Sequence, residues 1–128
     1  MIDMEIKYLN KNNIELFLNQ KETTSLTKIL KFVMTELEEE YFTRTGFDIN
    51  ETEGLIKKLE NPKQRTSHNA DNIIEFSSMQ ILNLRQNIGE TLFGLNINDF
   101  NKLFEISETN LISIFELLDK LGNEHALW

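Results

Sequence analysis

Asn72-Ile73-Ile74-Glu75-Phe76-Ser77-Ser78-Met79-Gln80-Ile81-Leu82-Asn83-Leu84 is the stretch on which the fold turns, because its first half can be read at two periods. With the residues that follow, Ile74, Ile81, Leu84, Ile88, Leu92 and Leu95 fall on one helical face, with Asp71 or Asn72 as its start and Gly94 as its stop. Ile73-Ile74-Glu75-Phe76 alone also suits a short strand, and Gly89 inside the pattern costs a helix about 1 kcal/mol. The helical reading accounts for more residues with a single period. It makes this segment the central helix of an all-α protein.

Toward the N-terminus, Glu5 to Leu9 reads as a short extended or irregular start. Asn12 with Glu15 three residues on has the form of a capping box opening a short helix through Leu18. After Thr23-Thr24-Ser25, apolar residues at Leu26, Ile29, Leu30, Val33, Leu37 and Tyr41 make one inward stripe, and Gly46 can close it in a left-handed cap. Asn50 and Glu53 suggest another capping box ahead of Leu55, Ile56 and Leu59, and Pro62 blocks continuation. From Asn61 to Asn72 no apolar period survives, which predicts the main polar loop, 61–72. Beyond the central helix, Asn96 can cap a short helix carrying Phe100, Leu103 and Phe104. Ser107 can cap a last one carrying Leu111, Ile114, Phe115, Leu118 and Leu121 up to Gly122. The expected architecture is a single domain over 1–128, a compact array of five or six helices with a short extended segment at the N-terminus.

The chain has 128 residues, of which 40% are hydrophobic and 27% charged, a balance that supports one packed core. It has no cysteine, which excludes disulfides, thiol nucleophiles and thiolate zinc sites. Met1-Ile2-Asp3-Met4-Glu5 carries acids where an export signal has bases, and no apolar run approaches a membrane span; the sequence predicts a cytoplasmic protein. The formal charge of −8 opposes phosphate backbones and favours a basic protein surface as partner.

That charge is uneven. Glu36, Glu38, Glu39, Glu40, Asp48, Glu51 and Glu53 are seven acids against one base, Arg44, between positions 36 and 53. Charge runs usually mark a solvated helix face, and the functional alternative is a face that docks a basic groove. Lys57, Lys58, Lys63 and Arg65 around Pro62 form the only cationic concentration and read as a solubilising loop. Tyr41, Phe42 and Trp128 could anchor a partner, although core packing or a tucked tail is the simpler account.

Motifs for chemistry fail on named residues. Gly89 and Gly94 enclose four residues as in the start of a phosphate loop, but Leu95-Asn96 stands where Lys and Ser or Thr should follow. His68 and His125 have Arg65 and Gly122 three positions before them, so the Glu-x-x-His pairing of carboxylate metal bundles is missing and no metal or other cofactor is expected. A catalytic carboxylate pair would require two acids to converge in a concave pocket, which spacing alone does not reveal.

Residues 94–116, Gly-Leu-Asn-Ile-Asn-Asp-Phe-Asn-Lys-Leu-Phe-Glu-Ile-Ser-Glu-Thr-Asn-Leu-Ile-Ser-Ile-Phe-Glu, place Phe100, Leu103, Phe104, Ile106 and Leu111 at apolar positions with Ser107 opening the second helix. This pattern resembles the helix-turn-helix of Cro and repressor-type regulators. The resemblance implies a DNA-binding regulator using residues 98–121, in which Ser107, Glu108, Thr109 and Asn110 face the major groove. Glu105 stands where the turn usually has glycine, and five acids against Lys102 and Lys120 leave phosphate anchoring thin. The primary expectation is therefore a small acidic inhibitory protein of the bacterial immunity or antitoxin kind and not an enzyme. It would neutralise a basic toxin such as a nuclease by occluding its active site through Glu36, Glu39, Glu40, Asp48, Glu51 and Glu53.

Overall fold

A computed structural model describes residues 2–62 and 72–128. It corrects the all-α expectation: a three-stranded antiparallel sheet, ordered β1-β2-β3, packs against the helices. The strands are β1 (Glu5–Asn10), β2 (Asn13–Leu18) and β3 (Asn72–Phe76). The helices are α1 (Gln20–Leu37), α2 (Tyr41–Thr45), α3 (Ile49–Glu60), α4 (Ser78–Gly89), α5 (Phe100–Phe104) and α6 (Glu108–Glu124). A 3₁₀ turn, Glu38–Glu40, joins α1 to α2, and α4 widens into a π turn over Glu90–Gly94.

The segment expected to be a helix after Asn12 is the central strand. Ile14, Leu16 and Leu18 are fully buried on one face, and Asn13, Glu15 and Phe17 take the other, an alternation of period two that overrides a capping-box match made of two residues. Lys11 and Asn12 make the hairpin turn instead, with the Asn12 amide donating to Asn10 Oδ1 at 2.9 Å. Ile73 to Phe76 likewise resolves to its strand alternative. Phe76 pairs with Ile14, Ile74 with Leu16 and Asn72 with Leu18, all on the core face. Such pairing joins residues more than fifty positions apart, so no local window could reveal it.

Helix starts shift for the same reason: the side chain that reaches the open amides wins. Asn19 and Glu22 box the start of α1, Asp48 and Glu51 replace the expected Asn50 and Glu53, Ser77 and Gln80 replace Asp71 or Asn72, and Asp99 replaces Asn96. Ser107 caps α6 as expected, and Gly46 at φ 84° closes α2. The stripe Leu26, Ile29, Leu30, Val33, Leu37 and Tyr41 is buried, although it runs through a break in the helix at Glu38. The expected 61–72 loop lies largely outside the described residues. No described helix is long and apolar enough to cross a membrane.

At the centre of the helical layer sits a closed ring of four buried polar side chains. Tyr41 donates its phenol proton to Asn87 Oδ1 at 2.8 Å, Asn87 Nδ2 donates to Asn83 Oδ1 at 2.8 Å, and Asn83 Nδ2 donates to Thr52 Oγ1 at 3.2 Å. Thr52 completes the circuit to the Tyr41 oxygen at 2.6 Å. With these amide orientations each member donates once and accepts once around the ring, so protons run in one direction and each bond polarises the next. Among the described residues no buried side-chain nitrogen or oxygen lacks a partner.

Opening the ring leaves buried groups unsatisfied. Tyr41→Phe and Thr52→Val should each cost about 1–3 kcal/mol in urea unfolding, with the double variant costing less than the sum because both break one circuit. The Tyr41 phenol is also held above its ordinary 10.0, chiefly by burial, which outweighs the hydrogen bonds that pull it down. The folded chain therefore keeps this proton at a pH where the unfolded chain has lost it. Stability from this group is fully present below pH 10 and falls as pH rises from there through the folded value. In Tyr8→Phe protein, phenolate absorbance should consequently develop together with alkaline unfolding, and alkaline melting should flatten when Tyr41 is also Phe.

Candidate functional site

The acidic run is shaped by how α1 ends. Glu38 takes φ 48° and ψ −114°, a conformation that a side chain rarely adopts and that breaks the helix axis. The chain then turns through Glu38, Glu39 and Glu40 before Tyr41 plunges into the polar ring. Glu36, Glu38, Glu39 and Glu40 are all exposed, and so is Phe42, at 62%. The turn thus carries four carboxylates and one unburied aromatic ring within seven residues.

Arg44 is the one base of this stretch, and its guanidinium makes its closest contacts outside the cluster. Its Nη2 donates to Glu90 Oε1 and to the Gly94 carbonyl at 3.4 Å, while the nearest atom of Glu40 stands 3.9 Å from Nη1. Glu36, Glu38 and Glu39 form no ion pair among the described residues. Asp48 and Glu51 are exposed but already engaged: Asp48 Oδ1 accepts from the Glu51 amide at 2.8 Å and Glu51 Oε1 from the Asp48 amide at 3.3 Å. Glu53 is exposed on the next turn of α3. Of the six acids expected to bind a partner, Glu36 and Glu39 are therefore exposed with no ion pair among the described residues, and Glu40 beside them reaches only Arg44, at 3.9 Å. Asp48 and Glu51 cap a helix, and Glu53 stands on that helix's side.

The helix-turn-helix resemblance meets a mixed geometry. Glu105 does adopt the left-handed conformation, φ 56° and ψ 34°, that glycine usually supplies in that turn. The Lys28 ammonium pairs with its carboxylate, holding it below the ordinary carboxylate range. Yet Ser107 and Asn110 turn toward the start of α1, lining with Asn19, Glu22 and Ser25 a small pocket of about 160 Å³, and only Thr109 of the three is exposed. The exposed side of α6 carries Glu108, Glu116 and Glu124 against Lys120. That surface repels phosphate.

Two further features were not read from the sequence. Glu15 and Glu75 are register partners on the outer face of the sheet and both line a depression of about 300 Å³ with Lys58, Asn61, Pro62 and Ile73. Burial lowers the Lys58 ammonium from its ordinary value, partly countered by Glu75, and its Nζ donates to the Glu75 carbonyl and Gln80 Oε1. The described lining thus holds two acids and an amine already committed to two acceptors. The second feature is a row across α4, the π turn, α6 and the C-terminal tail: Phe93, 72% exposed, meets Phe115 edge-on at 5.5 Å, and Arg85 lies 4.9 Å from the Phe115 ring and 5.5 Å from that of Trp128. Arg85 is anchored there by Asp119, 2.8 Å from Nε. Among the described residues no group of three metal-ligating side chains converges.

Comparison with known protein families, with characterised proteins and with solved structures finds no match to this chain. Function must therefore be argued from the surface itself.

The indole of Trp128 lies so close over Gly122 that a Cβ there would stand 1.8 Å from the ring. Gly122→Ala should expel the chain's one tryptophan into water. The expected result is a red shift of its fluorescence, while the far-ultraviolet circular dichroism is retained.

Proposed function

We propose that this protein is a small acidic inhibitor of the immunity or antitoxin kind, which captures a basic protein such as a nuclease toxin and covers its cationic cleft. The reading rests on one observation: the stretch 36–42 carries Glu36, Glu38, Glu39 and Glu40 beside exposed Phe42, while Arg44 makes its closest contacts with Glu90 and Gly94 and reaches only Glu40 of the four, at 3.9 Å. Uncompensated charge at a fixed turn draws an oppositely charged partner and sets its approach. An exposed aromatic beside the acids supplies contact area of the kind that dominates binding once water is excluded. A nuclease suits this face chemically because its cleft must hold cations against a phosphate backbone.

Affinity capture from the native host with mass spectrometry should recover a basic protein in stoichiometric amount. Against that partner, Glu36→Lys, Glu39→Lys and Glu40→Lys together should slow association about tenfold or more at low salt and flatten its salt dependence. Phe42→Ala should act on dissociation instead. Association kinetics unchanged by the triple reversal would remove this face from the account.

A further inference from the structure

The sheet has two edges, and the structure treats them differently. At β3 the Lys58 ammonium donates to the Glu75 carbonyl at 2.9 Å and is itself steadied by Gln80 at 2.8 Å, plugging the middle of that edge. At β1 the backbone from Glu5 to Tyr8 pairs with β2 on one side, the register shifts at Leu9 before Asn10, and among the described residues nothing bonds the other side. A strand so left presents a row of donors and acceptors that another strand can complete. Beside this open edge runs a groove of about 620 Å³ between β1 and α6, lined by Met4, Ile6, Tyr8, Leu117 and Leu121, with Glu5, Lys120 and Glu124 among its polar residues. His125 lies flat on the Tyr8 ring, 3.7 Å between centroids.

We propose that β1 pairs antiparallel with β1 of a second copy of this chain, about a two-fold axis passing through Ile6, joining two three-stranded sheets into one of six. The occupant follows from the strand's own residues. Glu5 and Lys7 point to the outer face, and Ile6 and Tyr8 to the core face with their partners Leu16 and Ile14. Pairing about Ile6 sets Glu5 opposite the partner's Lys7 and Lys7 opposite the partner's Glu5, two opposite-charge cross-strand pairs on one face. On the other face Met4 meets the partner's Tyr8 and Ile6 meets its own copy, so apolar side chains fill each groove.

Neighbouring registers that keep the helices of both copies on one side do worse. An axis through Lys7 sets lysine against lysine, and one through Tyr8 sets Asn10 against Ile6; one through Glu5 sets glutamate against glutamate, and the Asp3 it would bring opposite Lys7 lies outside β1 and is already bonded to Glu22 and Asn19. A net charge of −8 on each copy opposes association in general, so a contact needs local complementarity, and β1 supplies it. A two-fold contact of this isologous kind closes on itself and stops at the dimer. The acidic turn at 36–42 belongs to other elements and takes no part.

Sedimentation equilibrium of the full chain over rising concentration should show a monomer–dimer equilibrium. Hydrogen exchange at amides of residues 5–9 should slow as dimer forms. Lys7→Glu places like charges at both cross-strand sites and should raise the dimer dissociation constant about tenfold or more. Combining it with Glu5→Lys swaps both signs and should restore the wild-type constant, with circular dichroism confirming that each variant is folded. A wild-type chain that stays monomeric to roughly 1 mM overturns the proposal, whether or not the groove then takes a peptide from another protein. A dimer indifferent to Lys7→Glu, not restored by the double swap, or with β1 amides that exchange no slower than the monomer's, overturns it as well.

Discussion

The closed hydrogen-bond circuit of Tyr41, Asn87, Asn83 and Thr52 is the constraint on which the helical half of this protein depends. Its members come from α2, α3 and α4, three elements that packing alone would leave free to slide, since leucine and isoleucine faces tolerate several registers. A buried ring in which every donor has one acceptor tolerates only one. Thr45 and Thr91 extend it by bonding back to the carbonyls of Tyr41 and Asn87. The ring is thus a specificity device as well as a source of stability.

Its effect reaches the surface through Tyr41. Directly after the break at Glu38 the chain has no helical momentum to hold it, and the anchored phenol fixes where the 3₁₀ turn lies. Glu38, Glu39 and Glu40 are therefore displayed from a fixed platform and not from a frayed helix end. Acids at the C-terminal end of a helix are unfavourable to its dipole. Here the helix breaks before most of them, and the turn removes part of that penalty. Arg44, the one cation of the stretch, makes its closest contacts with Glu90 and Gly94, so the same geometry that holds α2 against the π turn leaves Glu36, Glu38 and Glu39 without an ion pair among the described residues and Glu40 with a long one.

The sheet solves a different problem. β2 is covered by neighbours on both sides and supplies three wholly buried residues, while β1 and β3 must each manage an open edge. Lysine at an edge is a common defence against unwanted pairing, and Lys58 serves β3 by binding a strand carbonyl directly. Lys7 on β1 has no such use, because it projects from the outer face alongside Glu5. The acidic turn and the open strand are two separate surfaces, built from different elements and governed by different forces.

Much of the core was legible from period alone. The α1 stripe, the faces of α3 and α6 and the Ser107 cap depend on residues within one or two turns of each other, where sequence spacing and spatial spacing coincide. The charge density between Glu36 and Glu53 was equally plain. What the sequence could not settle were the choices made by distant residues. Ile14, Leu16 and Leu18 alternate over only three positions in a strand that pairs locally with β1, whereas Ile73 to Phe76 fits either period and became a strand only by pairing with β2 across more than fifty residues. Nor does spacing say which of several acids will cap a helix, where Arg44 will point, or that Tyr41 will meet Asn87, over forty positions away. Those outcomes depend on distances in three dimensions, and only the tertiary structure sets them.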